Sequence, residues 1–285
     1  MIHIDECCWK GAKSAELHGK IFIPDDTIRA FIIMVHGIGE HGGCYHEWGE
    51  KFVLQSIGFL AFDLRGHGKT QGIRGHASMR LIQKDIQTIV LSVQKRFPAV
   101  PVVLFGHSMG GQTVLTYITG KQVEVQGAIA SSPYLKPVYP RSPLLVWLVR
   151  LASCVVPCLT VRTGIRADQL SHDGGTKSSK KDPLMHKKIS IKLFSDLCKN
   201  SKRLLRGKHK LNVPLLLMHG SDDPLVSFKA GKSFVQHTEG SSTFKFWHGM
   251  RHDLLFDEGN EAVFQYVMKW LTKHIIKNGN IQNHS

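Results

Sequence analysis

The sequence predicts an α/β fold in which a mostly parallel sheet is flanked by helices, and three observations carry that prediction. Short apolar runs alternate with helical patterns along most of the chain, the runs are continuous instead of alternating with polar residues, and one of them passes through a glycine-bracketed turn straight into a helix-compatible stretch. Residues 31–35, 58–62, 102–105, 128–130 and 215–218 read as strands buried on both faces, since a parallel sheet covered by helices has no solvent side to make polar. A further strand is expected over 243–247. Met79, Ile82, Ile86, Ile89, Val90 and Val93 recur every three or four residues, so that segment is an amphipathic helix ending before Pro98. Similar spacing over 261–276 marks a closing helix.

The rhythm breaks over 136–211, which reads as a cap inserted into a core of 1–135 and 212–285. The net charge of +15 comes from 37 Lys and Arg against 22 Asp and Glu, and the insertion alone holds 17 of the bases and 4 of the acids. The basic character therefore belongs to the cap, where it suits contact with an anionic membrane surface. Charge with neither a binding motif nor interleaved aromatics does not point to nucleic acid. Within the cap, the apolar stretch 144–152 contains Arg150 and is far shorter than the roughly 20 residues that span a bilayer. It reads either as a helix covering the sheet or as a lid face that touches lipid or lines an acyl pocket, with Leu144 and Leu148 as candidate contacts. Asp5 and Glu6 stand where a secretory signal would carry bases and an apolar run, so a cytoplasmic protein with reduced thiols, peripheral to membrane at most, is expected.

Gly106-His107-Ser108-Met109-Gly110 follows the strand 102–105 and opens onto a helical run at 112–118. Glycines there let a strained turn push a serine out of the sheet, which makes Ser108 the candidate nucleophile. A serine hydroxyl needs a histidine to take its proton and a buried carboxylate to orient that histidine. In a strand–turn–helix site of this kind the acid and then the base follow the serine along the chain. Asp222 or Asp223 lies just after the strand 215–218, and His248 or His252 after 243–247. Oxyanion donors are expected at the main-chain N–H of Met109 and of Ile38, in the glycine-rich loop after the strand 31–35; Gly37 and Glu40 of that loop are further candidates for substrate contact. His248 and His252 lack additional ligands at metal spacing, so no metal or organic cofactor is expected.

These segments together resemble the monoacylglycerol lipases and lysophospholipase-like serine hydrolases of the α/β-hydrolase fold. The matching motifs are 36–41 with Tyr45, 63–68, 106–111, 220–223 and 249–252, in that order, with Asp182-Pro183-Leu184 resembling a cap segment. The resemblance implies Ser108 as nucleophile, Asp223 as the acid, His252 as the base, Ile38 and Met109 as the oxyanion hole, and a single-chain lipid ester such as a monoacylglycerol or lysophospholipid as substrate. Cys44 stands where the family usually has Arg, so head-group recognition does not carry over. An esterase or peptidase for small soluble substrates, and a ligand-binding receptor with little turnover, are the alternatives that the same residues allow.

Overall fold

In the computed structural model, which describes residues 2–120, 124–139, 142–172 and 182–276, the chain opens with an antiparallel hairpin of β1 (Ile2–Lys10) and β2 (Glu16–Pro24). Strands and helices then alternate through β3 (Ala30–Val35), α1 (His46–Val53), β4 (Ile57–Phe62), α2 (Met79–Arg96), β5 (Val102–His107), α3 (Met109–Ile118) and β6 (Gly127–Ser131). Next come α4 (Pro143–Val155), a ribbon of β7 (Thr160–Arg162) and β8 (Lys188–Ser190), α5 (Ile191–Arg206) and the short β9 (His209–Lys210). The chain closes with β10 (Leu215–Gly220), α6 (Phe228–Gln236), β11 (Thr238–Glu239), β12 (Ser242–Trp247) and α7 (Asn260–His274).

Eight strands form one sheet in the order β1-β2-β4-β3-β5-β6-β10-β12, parallel from β4 onward and antiparallel across β2. Every residue of β3, β4, β5, β6 and β10 is buried, as their continuous apolar sequences require. Successive side chains point to opposite faces. Ile33, Leu60, Leu104 and Leu217 thus pack with α2, α3 and α5, while Ile32, Phe59, Phe105 and Leu216 pack with α1 and α7. Full burial of such a side chain contributes roughly 1.5–3 kcal/mol, so the sheet centre is the stable platform from which the loops project.

The segment between β6 and β10 divides differently from the sequence expectation. Helix α5 belongs with the core: Leu193, Leu197, Ser201 and Leu204 form its buried stripe, and Gln112 of α3 donates from Nε2 to Leu197 O at 3.0 Å and Ser201 Oγ at 2.9 Å. Helix α4 is the opposite case. Ser142 caps it through Leu145 N, and Pro143 suits its first turn, but Ser153 is its one buried residue. The hairpin β1–β2 and helices α1 and α6 lie outside the elements expected from sequence.

One side chain ties the loops beneath the sheet edge together. Asp63, just after β4, accepts from Gly42 N at 2.8 Å and Lys69 N at 2.6 Å, while its own carbonyl accepts from Thr70 Oγ1. Two residues on, Arg65 pairs with buried Asp85 of α2. Asp63→Ala leaves two main-chain donors without acceptors, at about 1–3 kcal/mol each, so urea unfolding should lose about 2–6 kcal/mol of stability. A loss below about 0.5 kcal/mol would mean that water replaces the carboxylate.

Candidate active site

Strand β5 passes into α3 through Ser108 alone, and this forces an unusual backbone. Ser108 has φ 53° and ψ −113°, a left-handed conformation that costs an L-residue energy. Its neighbours have no room for side chains: a Cβ on Gly110 would lie 1.9 Å from Val35 O, and one on Gly106 2.3 Å from Gly110 O. The main-chain N–H of Ser108 donates to Ser131 O of β6 at 2.9 Å, which fixes the turn against the neighbouring strand.

Ser108 Oγ lies 2.9 Å from His252 Nε2, and His252 Nδ1 lies 2.8 Å from Asp223 Oδ2. His252 follows β12 and Asp223 follows β10, so three strand ends converge, as open α/β sheets arrange their sites. The other oxygen of Asp223 accepts from Leu225 N at 2.8 Å and Val226 N at 2.9 Å. Asp222 is exposed and accepts from the Ser221 hydroxyl, and exposed His248 packs on Phe246; neither meets Ser108. Burial opposes ionisation of Asp223, but the charge and hydrogen bond of His252 outweigh it and hold the carboxyl below its ordinary value. Burial likewise opposes the charge on His252, and Asp223 overcomes it and raises that ring above 6.5.

Ile38 and Met109 border a cavity of about 440 Å³ together with Ser108 and His252. Tyr134, Ile165, Ile189, Phe194, Leu197, Leu225 and Val226 supply much of its apolar wall, and among the described residues no Asp or Glu borders it. Its size and apolar lining are those of a small-molecule site. Sequence reasoning missed this wall, although Tyr134 and Leu225 follow the strand ends of β6 and β10, where the topology rule would have directed attention.

Four expected contacts fall elsewhere. Gly37 and Glu40 do not border the cavity; Glu40 Oε2 accepts from Gly37 N at 2.8 Å and Tyr45 OH at 2.6 Å and so braces the loop that carries Ile38. Leu144 and Leu148 are 65% and 48% exposed and also lie outside the cavity wall, because α4 turns Val146, Val149 and Ala152 toward the body and leaves its other face to solvent. From the segment 182–186, His186 N donates to Gly39 O at 2.9 Å, and Asp182 Oδ2 lies 2.8 Å from His41 Nε2. These two contacts clamp the loop from above.

The strand order, the strained turn and the Ser–His–Asp chain of hydrogen bonds define an α/β hydrolase. The Hydrolase_4 family model, described as serine aminopeptidase, S33, matches residues 26–259, and the chain belongs to that family. An uncharacterized abhydrolase domain-containing protein of Dictyostelium discoideum is 32% identical over 251 residues, which are 86% of this chain and 26% of that protein, so the chain spans about a quarter of this relative's length. A monoacylglycerol lipase of Mycolicibacterium smegmatis is 26% identical over 259 residues, covering 90% of this chain and 92% of the relative. The crystal structure of Paleococcus ferrophilus monoacylglycerol lipase matches with a TM-score of 0.83 and 29% identity over 91% of this chain and 99% of its own.

The backbone at Ser108 is itself testable. Glycine adopts φ 53° without the strain that alanine retains, and both substitutions delete the hydroxyl equally. Ser108→Gly should therefore be more stable than Ser108→Ala by about 1 kcal/mol in urea unfolding. A more stable alanine variant would refute the strain.

Proposed function

We propose that the chain hydrolyses carboxylic esters of single-chain lipids, monoacylglycerols or lysophospholipids, through an acyl-enzyme on Ser108. The observation that carries this reading is the Ser108–His252–Asp223 hydrogen-bond chain opening on a mainly apolar cavity that, among the described residues, no carboxylate borders. His252 Nε2 takes the Ser108 proton as Oγ attacks the ester carbonyl carbon, and the N–H groups of Ile38 and Met109 receive the negative oxygen. Among the described residues neither N–H has another partner. Collapse of the tetrahedral intermediate breaks the ester C–O bond, and His252 returns the proton to the leaving alcohol. Water, deprotonated by the same ring, then attacks the acyl carbon and releases the fatty acid and Ser108.

The family description, serine aminopeptidase, raises a peptidase as the second reading. An aminopeptidase must hold a substrate ammonium, for which a carboxylate in the pocket is the natural partner, and the described cavity wall supplies only neutral groups besides His252. An acyl chain suits that wall better.

The segment that carries α4 and the β7–β8 ribbon serves in this reading as the cap. Leu144, Trp147, Leu148, Leu151 and Val155 are exposed together, and Arg150, Arg162, Lys187 and Lys188 are exposed around them. That pairing suits peripheral contact with an anionic bilayer. Among the described residues, no helix is long and apolar enough to cross one.

Hydrolysis should be measured on a panel of monoacylglycerols, lysophospholipids and short-chain nitrophenyl esters. Ser108→Ala should lose at least about 10³-fold in kcat, and longer acyl chains should be preferred; equal rates for wild type and variant would end the proposal. Because His252 must be neutral to accept a proton and Asp223 favours its charged form, the acid limb of kcat/KM should be half-complete above pH 6.5. A limb at or below that value would contradict the pairing. Co-sedimentation should be stronger with anionic than with zwitterionic vesicles and should weaken in Trp147→Ala/Leu151→Asp; indifference to both changes would remove the membrane role.

A further inference from the structure

Behind the triad lies a second group of ionisable side chains that this mechanism leaves unused. His107, the residue before Ser108, turns its ring inward, edge-on to His252 with centroids 5.1 Å apart. Its Nε2 is 3.1 Å from Asp253 Oδ1 and 4.0 Å from Glu40 Oε1. The three side chains are 1%, 5% and 12% exposed. Each belongs to a different segment of the site: Glu40 closes the loop with Ile38, His107 ends β5 just before the serine, and Asp253 follows His252.

Two carboxyls thus face one imidazole in a place sealed from water. Among the described residues, no lysine or arginine makes an ion pair or hydrogen bond with any of the three. Charges of one sign that share such a space cannot both ionise near neutral pH. The hydrogen bonds decide which group gives way. Glu40 Oε2 already receives two donors, Gly37 N–H and Tyr45 OH, whereas Asp253 Oδ1 faces only the ring.

We propose that Glu40, His107 and Asp253 form a positioning hub in which Glu40 carries the single charge and Asp253 keeps its proton beside His107 Nε2, and that this state holds the Ile38 loop, the Ser108 turn and the His252 loop in register. None of the three touches the reacting atoms, and the inference rests on the Ser108–His252–Asp223 reading.

The surroundings agree. Burial, followed by the Glu40 charge, holds Asp253 well above the carboxylate range, while burial and then the His252 charge keep the His107 ring neutral. Burial raises Glu40 too, against the pull of its two donors. Around Asp253, the acids Asp223 and Asp257 oppose its ionisation, His252 favours it, and Cys44 and Tyr45 stay neutral because burial pushes both up. Once alkali removes the Asp253 proton, two negative charges confront each other across His107. The loop bearing Ile38 is then pushed from the loop bearing His252, which weakens donors that act on the transition state more than on bound substrate.

Asp253→Asn keeps the shape and neutrality of the acid but cannot ionise. The test compares kcat and KM between pH 7 and 10.5 for wild type and Asp253→Asn on a soluble ester, each profile normalised to its own neutral plateau. Wild-type kcat should fall on the alkaline side with little change in KM, and Asp253→Asn should hold its plateau about one pH unit further or more. Infrared spectra of Ser108→Ala, which needs no turnover, should show the C=O stretch of a buried protonated carboxyl at neutral pH that disappears at high pH and is absent when Asp253→Asn is added. Superposed pH profiles, or no such band, overturn the proposal, and the band alone decides if Asp253→Asn does not fold. A stoichiometric metal ion in the purified protein would also overturn it, since a cation would then take the proton's place. Failure of the triad reading is seen separately, as full activity in Ser108→Ala.

Discussion

The approach of α3 to the ends of β3 and β5 sets every functional distance in this molecule. Gly110 lies so near Val35 O that only a residue without Cβ fits, and the chain can enter the helix from β5 only if the residue between them takes a left-handed backbone. Ser108 is that residue, and the strain it bears, of order 1–3 kcal/mol, is offset by the buried strands on either side. The reward is geometric. The hydroxyl stands clear of the sheet within reach of His252, and the first N–H of α3, at Met109, points out of the positive end of a helix beside the cavity. Because β3 is the strand that crowds Gly110, the loop that follows β3 is carried to the same spot with Ile38.

The features legible in the sequence are those with few physical solutions. A strand covered on both faces must be apolar throughout, and a sharp strand-to-helix turn must have glycines, so the central sheet and the turn at Ser108 could be read directly. The hairpin β1–β2 could not, because β1 alternates between exposed and half-buried residues and includes two cysteines and charged side chains. Asp222 and Asp223 are neighbours in sequence, and burial alone separates them. The cavity wall was illegible because Phe194 and Leu197 look like any core residues of an amphipathic helix. Leu144 and Leu148 misled for a related reason: an apolar pattern marks α4 as a helix but does not say whether its apolar residues are covered by protein or left to solvent.

Electrostatically, the chain is divided. Its surface is basic, above all around the cap, yet His252 sits among carboxyls, with Asp223 bonded to it and Asp253 and Glu40 close behind. The acid that matters for orientation is the one supplied with hydrogen bonds: Asp223 accepts two main-chain N–H groups and the ring, so it stays ionised despite burial. Asp253 has no such supply: its Oδ1 faces only the His107 ring. Two buried acids beside the same histidine therefore hold opposite protonation states: the charge and hydrogen bonds around Asp223 outweigh its burial, whereas burial and the Glu40 charge together keep the proton on Asp253.

Tyr139, which lines the cavity, is itself 80% exposed and precedes α4 by a few residues. Thr163, Gly164 and Ile165, on the cavity's other side, directly follow the exposed strand β7. Residues of the cavity wall thus neighbour in sequence the two elements that leave apolar side chains in water. Helix α4 packs on α5 but leaves several large apolar side chains uncovered, which gives up part of the burial that stabilises most surface helices. A substrate with one long chain would gain from such apolar side chains, whereas a small polar ester would gain nothing from them. The mainly apolar wall of the cavity around Ser108 is the physical ground for preferring a lipid.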